Sequence, residues 1–359
     1  MGPTLEAPAL DGRTAGLHHA RMDPIRPIPL EAIGGARGRI AGTAIRAPLI
    51  RLDQPGVDAR TPIDSERREP GIWLKLECLQ PIGSFKIRGA ANAIALADPN
   101  VLAGGVYTAS AGNMAQGVAF AARRLGVPCR VIVPDTAPLT KLEAIERLGG
   151  ALVPLPFEEW WRVICEHGHP DESGFFIHPV SDPAVIAGNG TIGLEILEDL
   201  PEVDVVIAPY GGGGLSCGVA SALRAKKSGV QVFASEVDTS APFAASLQAD
   251  RPVSVDRRPT FVDGIGGGSL LEEMWPLASS LLDGSMVMTI EEICDAIRTL
   301  AGRAHVIAEG AGGSAVAAAL EYQCREDPGV EQHIVAVVSG GNIDPHVLRA
   351  ILSGENPDA

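Results

Sequence analysis

Cysteine is scarce and scattered. The six among 359 residues, Cys78, Cys129, Cys165, Cys217, Cys294 and Cys324, form no CxxC and no Cys/His cluster. That excludes a zinc ribbon and a dense disulfide framework, and it suits a reducing, cytoplasmic setting. Positive charge is also short: 29 Lys and Arg stand against 44 Asp and Glu, a net charge of −15, with no basic block. Neither nucleic acid nor an anionic membrane is therefore expected as a partner. No apolar run reaches the ~18 residues of a membrane span, and the first 29 residues contain no export-type apolar stretch. Residues 1–29, rich in Pro, Gly and Ala without apolar periodicity, read as a flexible or loosely docked extension. What remains is a chain with 46% hydrophobic residues, able to bury a large core and expected to act on a small molecule.

Short β-type runs alternate with helix-type runs. The former are WLKL (73–76), GVYTAS (105–110), CRVIVP (129–134), ALVPL (151–155), FFIH (175–178), VDVVIAP (203–209), VQVFASE (230–236) and HIVAVVS (333–339). Between them lie helical patterns that include FKIRGAANAIALAD, NMAQGVAFAARRLG, LTKLEAIERLGG, AVIAGNGTIGLEILEDL and GLSCGVASALRAKKSG. Continuous apolar strands separated by crossover helices predict an α/β fold with open, doubly wound parallel sheets. Gly126, Gly149 and Gly229 stand where helices should stop. Residues 238–290, with Pro242, Pro252, Pro259 and GIGGG at 264–268, read as an irregular excursion beside the site.

Ligands of such sheets bind beyond the carboxyl ends of the strands. Four stretches fall there: GSFK (83–86), SAGN (110–113), GGGGLS (211–216) and SGGN (339–342). Four consecutive glycines between a strand and a helix can wrap bare N–H groups around a phosphate at the positive helix end. A nicotinamide-dinucleotide site is the rival, since Glu236 ends the next strand where a ribose-binding acid belongs, but the G-x-G-x-x-G spacing fails in every register. Lys86 near a helix N-terminus carries the charge that a helix dipole disfavours. Such an amine, with its pKa depressed by desolvation, can attack an aldehyde.

Together, LECLQPIGSFKIRGA, TASAGNMAQGVAFAARRLGV, FIHPVSDPAVIAGNGTIGLEIL, PYGGGGLSCG and VVSGGN, in this order, resemble the fold type II pyridoxal-phosphate enzymes, specifically the threonine/serine dehydratase (threonine ammonia-lyase) and serine racemase group. The resemblance implies two open doubly wound domains with pyridoxal 5′-phosphate between them: a large domain of residues 30–100 and 182–359, and a small mobile domain of residues 101–181. It implies that Lys86 forms the internal Schiff base and then removes the α-proton as general base. Phe85 would flank the cofactor ring, Asn113 would bond its 3′ oxygen, Gly211, Gly212, Gly213, Gly214 and Leu215 would hold its phosphate, and Ser339 would face the pyridine nitrogen. Ser110, Ala111, Gly112, Asn113 and Met114 would receive the substrate. The reaction implied is β-elimination from a β-hydroxy amino acid such as L-threonine or L-serine, giving a 2-oxo acid and ammonia. A serine opposite the pyridine nitrogen leaves it neutral and favours elimination. A homodimer is implied as well.

Departures from the pattern bear on the choice among relatives. Racemases of the group carry a second serine where this chain has Ala111, which counts against racemisation. Met114 replaces a usual histidine, either repacking or widening the pocket, and GNGT (188–191) replaces GQGT. A bulkier substrate such as phenylserine is the alternative, with Trp160 or Trp161 bordering the substrate mouth; the other reading is an amphipathic helix that buries one of them. Glu236 and Asp238 begin a segment that binds a cation in some members, but Pro242 stands where a further Asp would be, so no metal is expected. His178 reads as a packed connection and Glu309 as a neighbour of the ring. The chain stops soon after DPHVLRAILSG, so no amino-acid-sensing regulatory domain is expected. A dinucleotide oxidoreductase and a non-catalytic cofactor-binding protein are the rival classes.

Overall fold

A computed structural model describes residues 23–53, 69–325 and 331–357. Most of the N-terminal extension, residues 1–22, lies outside the described residues. Its last part is docked: Ile25 N–H donates to Glu273 O at 2.9 Å, and Ile28 is buried in the core.

The described residues form ten strands: β1 (Leu49–Arg51), β2 (Gly71–Lys75), β3 (Val106–Ala109), β4 (Cys129–Pro134), β5 (Gly150–Leu155), β6 (Phe175–Phe176), β7 (Val205–Pro209), β8 (Gln231–Val237), β9 (Gly284–Met288) and β10 (His333–Val337). They form a six-stranded sheet, β1-β2-β10-β7-β8-β9, and a four-stranded sheet, β5-β4-β3-β6. Every pairing is parallel except β1 with β2. Helices cover both faces of the larger sheet, so β7 is buried at every residue, and its apolar run VVIAP follows from that burial.

All eight sequence-read strands are present. Two were illegible: β1 is a three-residue antiparallel edge, and β9 is a half-exposed edge strand inside the region read as an excursion. Both lack the continuous apolar run that marks central strands. Gly126 and Gly149 take left-handed φ values of 69° and 98° at their helix ends. Gly229 does not, because that helix stops at Lys226 and Lys227 N–H closes its last turn on Leu223 O.

The helix Lys86–Leu96 joins the two sheets, packing on both Asn113–Leu125 and Pro183–Asp199. Small residues allow the close crossings. A Cβ on Gly117 would lie 3.1 Å from Lys86 O, and one on Gly89 would lie 2.7 Å from Val185 Cγ1. No helix among the described residues is long and apolar enough to cross a membrane.

Candidate active site

The four glycine-containing stretches all follow parallel strands of the two sheets. Ser110–Asn113 leaves β3, Tyr210–Gly214 leaves β7, Ser339–Asn342 leaves β10, and Gly83–Lys86 follows β2 after a short 3-10 turn. Ser84 bridges Gly340, Phe85 N–H donates to Ser339 O at 3.0 Å, and Gly341 N–H donates to Gly83 O at 2.8 Å. Lys86 thus starts its helix with its backbone tied to the SGGN loop.

Below Lys86 the same helix is riveted by a buried ionic cluster. Arg88, 1% exposed, donates twice to Glu77, both bonds at 2.8 Å, and twice to Glu195, at 2.7 and 2.9 Å. Lys75, fully buried, donates to Glu195 at 2.7 Å and to Ala47 O at 2.6 Å. Two cations and two carboxylates neutralise one another, and bidentate geometry satisfies them. Burial opposes both charges, yet the pairing holds Arg88 above and Glu195 below their ordinary pKa values. No motif signalled this cluster, since an Arg and a Glu on a helix read as surface residues until the fold buries them.

Lys86 Nζ donates to Pro179 O at 2.8 Å and lies 5.3 Å from the centre of the Phe85 ring. Burial lowers its pKa to about 8, with the Glu309 carboxylate acting in the opposite direction. Glu309 is pushed up to about 7 by burial, against the hydrogen bond from Asn113. Asn113 Nδ2 lies 2.8 Å from Glu309 Oε1, and Asn342 Nδ2 donates to Asn113 Oδ1 at 2.7 Å. A Cβ on Gly340 would collide with the Glu309 carboxylate.

The glycine run is enforced by close approach. A Cβ would fall 2.8 Å from Gly264 O at Gly211, 2.6 Å from Val180 Cγ1 at Gly212 and 2.9 Å from Val180 O at Gly214. Gly213 has φ +92° and abuts the Tyr210 ring. The helix Gly214–Lys226 begins here, its first internal bond running from Cys217 N–H to Gly213 O. The N–H groups of Gly213, Gly214, Leu215 and Ser216 meet no acceptor among the described residues. They point where an anion is stabilised. The buried Tyr210 and Ser216 hydroxyls also lack partners among the described residues. Asn189, the departure in GNGT, donates to Gly214 O at 3.1 Å and steadies the loop from behind.

A second helix start faces the same crevice. Gly112 N–H donates to Ser110 Oγ at 3.2 Å, and Gln116 N–H closes on Gly112 O. The N–H groups of Asn113, Met114 and Ala115 are left without acceptors among the described residues. The Met114 side chain, 2% exposed, packs in the core with Val118 and Ile145. Leu215 and Ser339 are buried, whereas Phe85, Ser110, Ala111, Gly112 and Asn113 are half-buried.

The remaining candidates have structural duties. Trp160 packs against Tyr107 and Ile132, while Trp161 is 37% exposed on the same helix. His178 Nδ1 accepts N–H from Val180 and Ser181, at 3.1 and 2.8 Å, so Nε2 donates to Ile164 O. His178 stacks on His167, which pairs with Glu273 at 3.3 Å. These three side chains lie close enough to suggest a metal, but both ring nitrogens of His178 are already engaged. The Glu236 carboxylate accepts N–H from Phe243 and Ala244 at the start of helix Pro242–Ala249, and the Ser285 hydroxyl. Lys141 pairs with Asp263 across the mouth of the crevice, a contact absent from every motif because its partners are 122 positions apart.

Comparison with known proteins places most of the chain in one family. A family model described as pyridoxal-phosphate dependent enzyme matches residues 45–340. L-threonine ammonia-lyase of Thermotoga maritima is 40% identical over 288 residues, 79% of this chain and 70% of that protein. Serine racemase of Mus musculus is 34% identical over 291 residues, 80% of this chain and 86% of that protein. The structure of maize serine racemase superposes with a TM-score of 0.80 at 31% identity, covering 92% of this chain and 98% of that one.

Proposed function

Because the chain belongs to the family of pyridoxal-phosphate dependent enzymes, we propose that it removes the β-hydroxyl and amino groups of a β-hydroxy amino acid such as L-threonine or L-serine, releasing a 2-oxo acid and ammonia. The observation that carries this reading is a half-buried amine, Lys86 Nζ, near two helix starts whose N–H groups have no acceptor among the described residues and so can bind anions. Relatives named L-threonine ammonia-lyase add weight to it.

The residues suit the cofactor. A glycine cradle that side chains would fill, together with four N–H groups and two buried hydroxyls that have no partner among the described residues, matches the needs of a phosphate. When bound, pyridoxal phosphate supplies a carbonyl carbon for an amine and a ring that takes up the electron pair left by α-proton removal. Gly211 to Leu215 would hold its phosphate, Asn113 its ring oxygen, Ser339 its ring nitrogen and Phe85 one ring face. Lys86, with a pKa of about 8, keeps an appreciable fraction as free amine near neutrality and can accept the α-proton once substrate has displaced it. Ser110 with the N–H groups of Asn113 and Met114 would take the substrate carboxylate. Residues 101–181, built around the four-stranded sheet, would move as a small domain to close the crevice and exclude water. The same reading makes the enzyme a cytoplasmic homodimer.

Racemisation is the second reading, favoured by the likeness to serine racemases. Ala111 speaks against it, since a methyl group carries no proton to the far face of the substrate. The test is to give the reconstituted protein L- and D-threonine, serine, phenylserine and 3-hydroxyaspartate, and to measure the visible spectrum, ammonia and 2-oxo acid, with Lys86→Ala alongside. Ammonia and 2-oxo acid in equal amounts, lost at least about 10³-fold in the variant, are expected. D/L interconversion without ammonia would replace the first reading by the second, and no visible band at all would sink both.

A further inference from the structure

Asn113 is gripped by two residues to which no motif assigned a task. Its Nδ2 meets both Glu309 oxygens, at 2.8 and 3.1 Å, and its Oδ1 accepts from Asn342 Nδ2 at 2.7 Å. A carboxylate accepts hydrogen bonds, so Asn113 meets it amide-first. That leaves Oδ1 for Asn342, whose own Nδ2 is also anchored on Ile82 O at 2.9 Å. Reversing the row would set the Asn113 oxygen against the Glu309 oxygens. Both end members are fixed by backbone. Glu309 N–H donates to Gly340 O at 3.0 Å, its carbonyl accepts from Gly313 in the helix Gly310–Arg325, and a Cβ on Gly83 would lie 2.6 Å from Asn342 Oδ1. Glu309 and Asn342 belong to loops of the larger sheet, whereas Asn113 opens a helix of the smaller one. The grip therefore spans the crevice.

We propose that Glu309 is a positioning residue that, with Asn342, orients the Asn113 amide so that an N–H, and not the carbonyl, faces the ring oxygen of the cofactor. The inference rests on the reading of Asn113 as a cofactor contact. One Nδ2 hydrogen is spent on Glu309, and the second remains for the ring oxygen. An amide free to turn would place oxygen against oxygen there, losing a hydrogen bond and adding repulsion. A donor fixed before the cofactor arrives has no reorientation left to undergo.

The experiment compares wild type, Glu309→Ala, Glu309→Gln, Asn342→Ala, Asn113→Ala and the Asn113→Ala/Glu309→Ala and Asn113→Ala/Asn342→Ala pairs, reconstituted with pyridoxal phosphate. It reads cofactor Kd by quenching of intrinsic fluorescence, and the position of the visible band. Glu309→Ala should weaken cofactor binding about tenfold and shift the band, while Glu309→Gln, whose carbonyl still accepts from Asn113, should stay within about threefold of wild type. Each double variant should be no worse than Asn113→Ala, because Glu309 and Asn342 act through Asn113. Fully additive losses, or Glu309→Gln as damaged as Glu309→Ala, would overturn the proposal. Should Glu309→Ala not fold, the Asn342→Ala cycle decides by the same criterion. An Asn113→Ala variant with unchanged band and Kd would instead remove the premise, and the proposal with it.

Discussion

Lys86 and Glu309 are a half-buried base and a half-buried acid whose pKa values have moved toward each other, to about 8 and about 7. Burial disfavours each charge; the Glu309 carboxylate partly offsets that cost for Lys86, and the hydrogen bond from Asn113 partly offsets it for Glu309. The depressed Lys86 value means that free amine accumulates as pH rises through 8. The rate at which cofactor-free protein regains its visible band should follow that rise and level off above it, and a rate flat from pH 6 to 9 would contradict the environment described for Lys86. Glu309 gives the opposite sign. Its proton is held more tightly in the folded chain than in the unfolded one, so its stabilising contribution is complete below about 4.5 and lost as pH rises through about 7. Cofactor-free Glu309→Gln should therefore gain thermal stability relative to wild type on going from pH 5 to pH 8. The shift from 4.5 to about 7 bounds that gain at about 3 kcal/mol. Calorimetric Tm values at the two pH values check it; a constant difference between the proteins would refute it. Lys86 was legible in the sequence because it stood at a helix start among glycine-containing loops. Glu309 was legible only as a neighbour, because AEGAGG does not reveal that Asn113, 196 positions away, points at it.

At the scale of elements, the helix Lys86–Leu96 is placed by contacts remote from the chemistry. Its upper end is tied to Ser339–Gly341 and its underside to Glu77 and Glu195 through Arg88. Replacing Arg88 by leucine would leave two carboxylates buried with only Lys75 to balance them. The expected cost is about 3–5 kcal/mol, the range for breaking one side of a buried ion pair. Urea unfolding of the holoenzyme should show this as a lower midpoint, and a loss below about 1 kcal/mol would mean that the cluster does little to hold the helix. The central strands could be read from sequence because burial on both sheet faces demands unbroken apolar runs. β1 and β9 could not, since an edge strand with one exposed face needs no such run.

Over the whole molecule, the two sheets present their loop ends to one crevice and are linked there by exposed as well as buried contacts. Lys141, on the helix Leu139–Arg147, reaches Asp263 in a turn beside the larger sheet. Both residues are substantially exposed, so the pair is open to screening by salt. If the unit built on the four-stranded sheet closes over the substrate, Lys141→Ala should alter kcat and KM together by a few-fold and make turnover less sensitive to ionic strength than in wild type. Steady-state kinetics between low and high salt measure this, and equal salt dependence in the two proteins would count against a role for the pair in closure.

Local patterning alone determined a great deal: the alternating α/β class, eight of the ten strands among the described residues, the lysine at a helix start and the glycine loops at strand ends. Each depends on neighbouring residues, through burial periodicity, dihedral freedom and helix polarity. Tertiary structure decided the rest. It buried Arg88, Lys75 and Glu195 together, turned Met114 into the core, gave Glu236 to a helix start and aligned Asn342, Asn113 and Glu309 in one row. Those outcomes depend on which distant segments the sheets bring within hydrogen-bonding range, and no local pattern of residues encodes that distance.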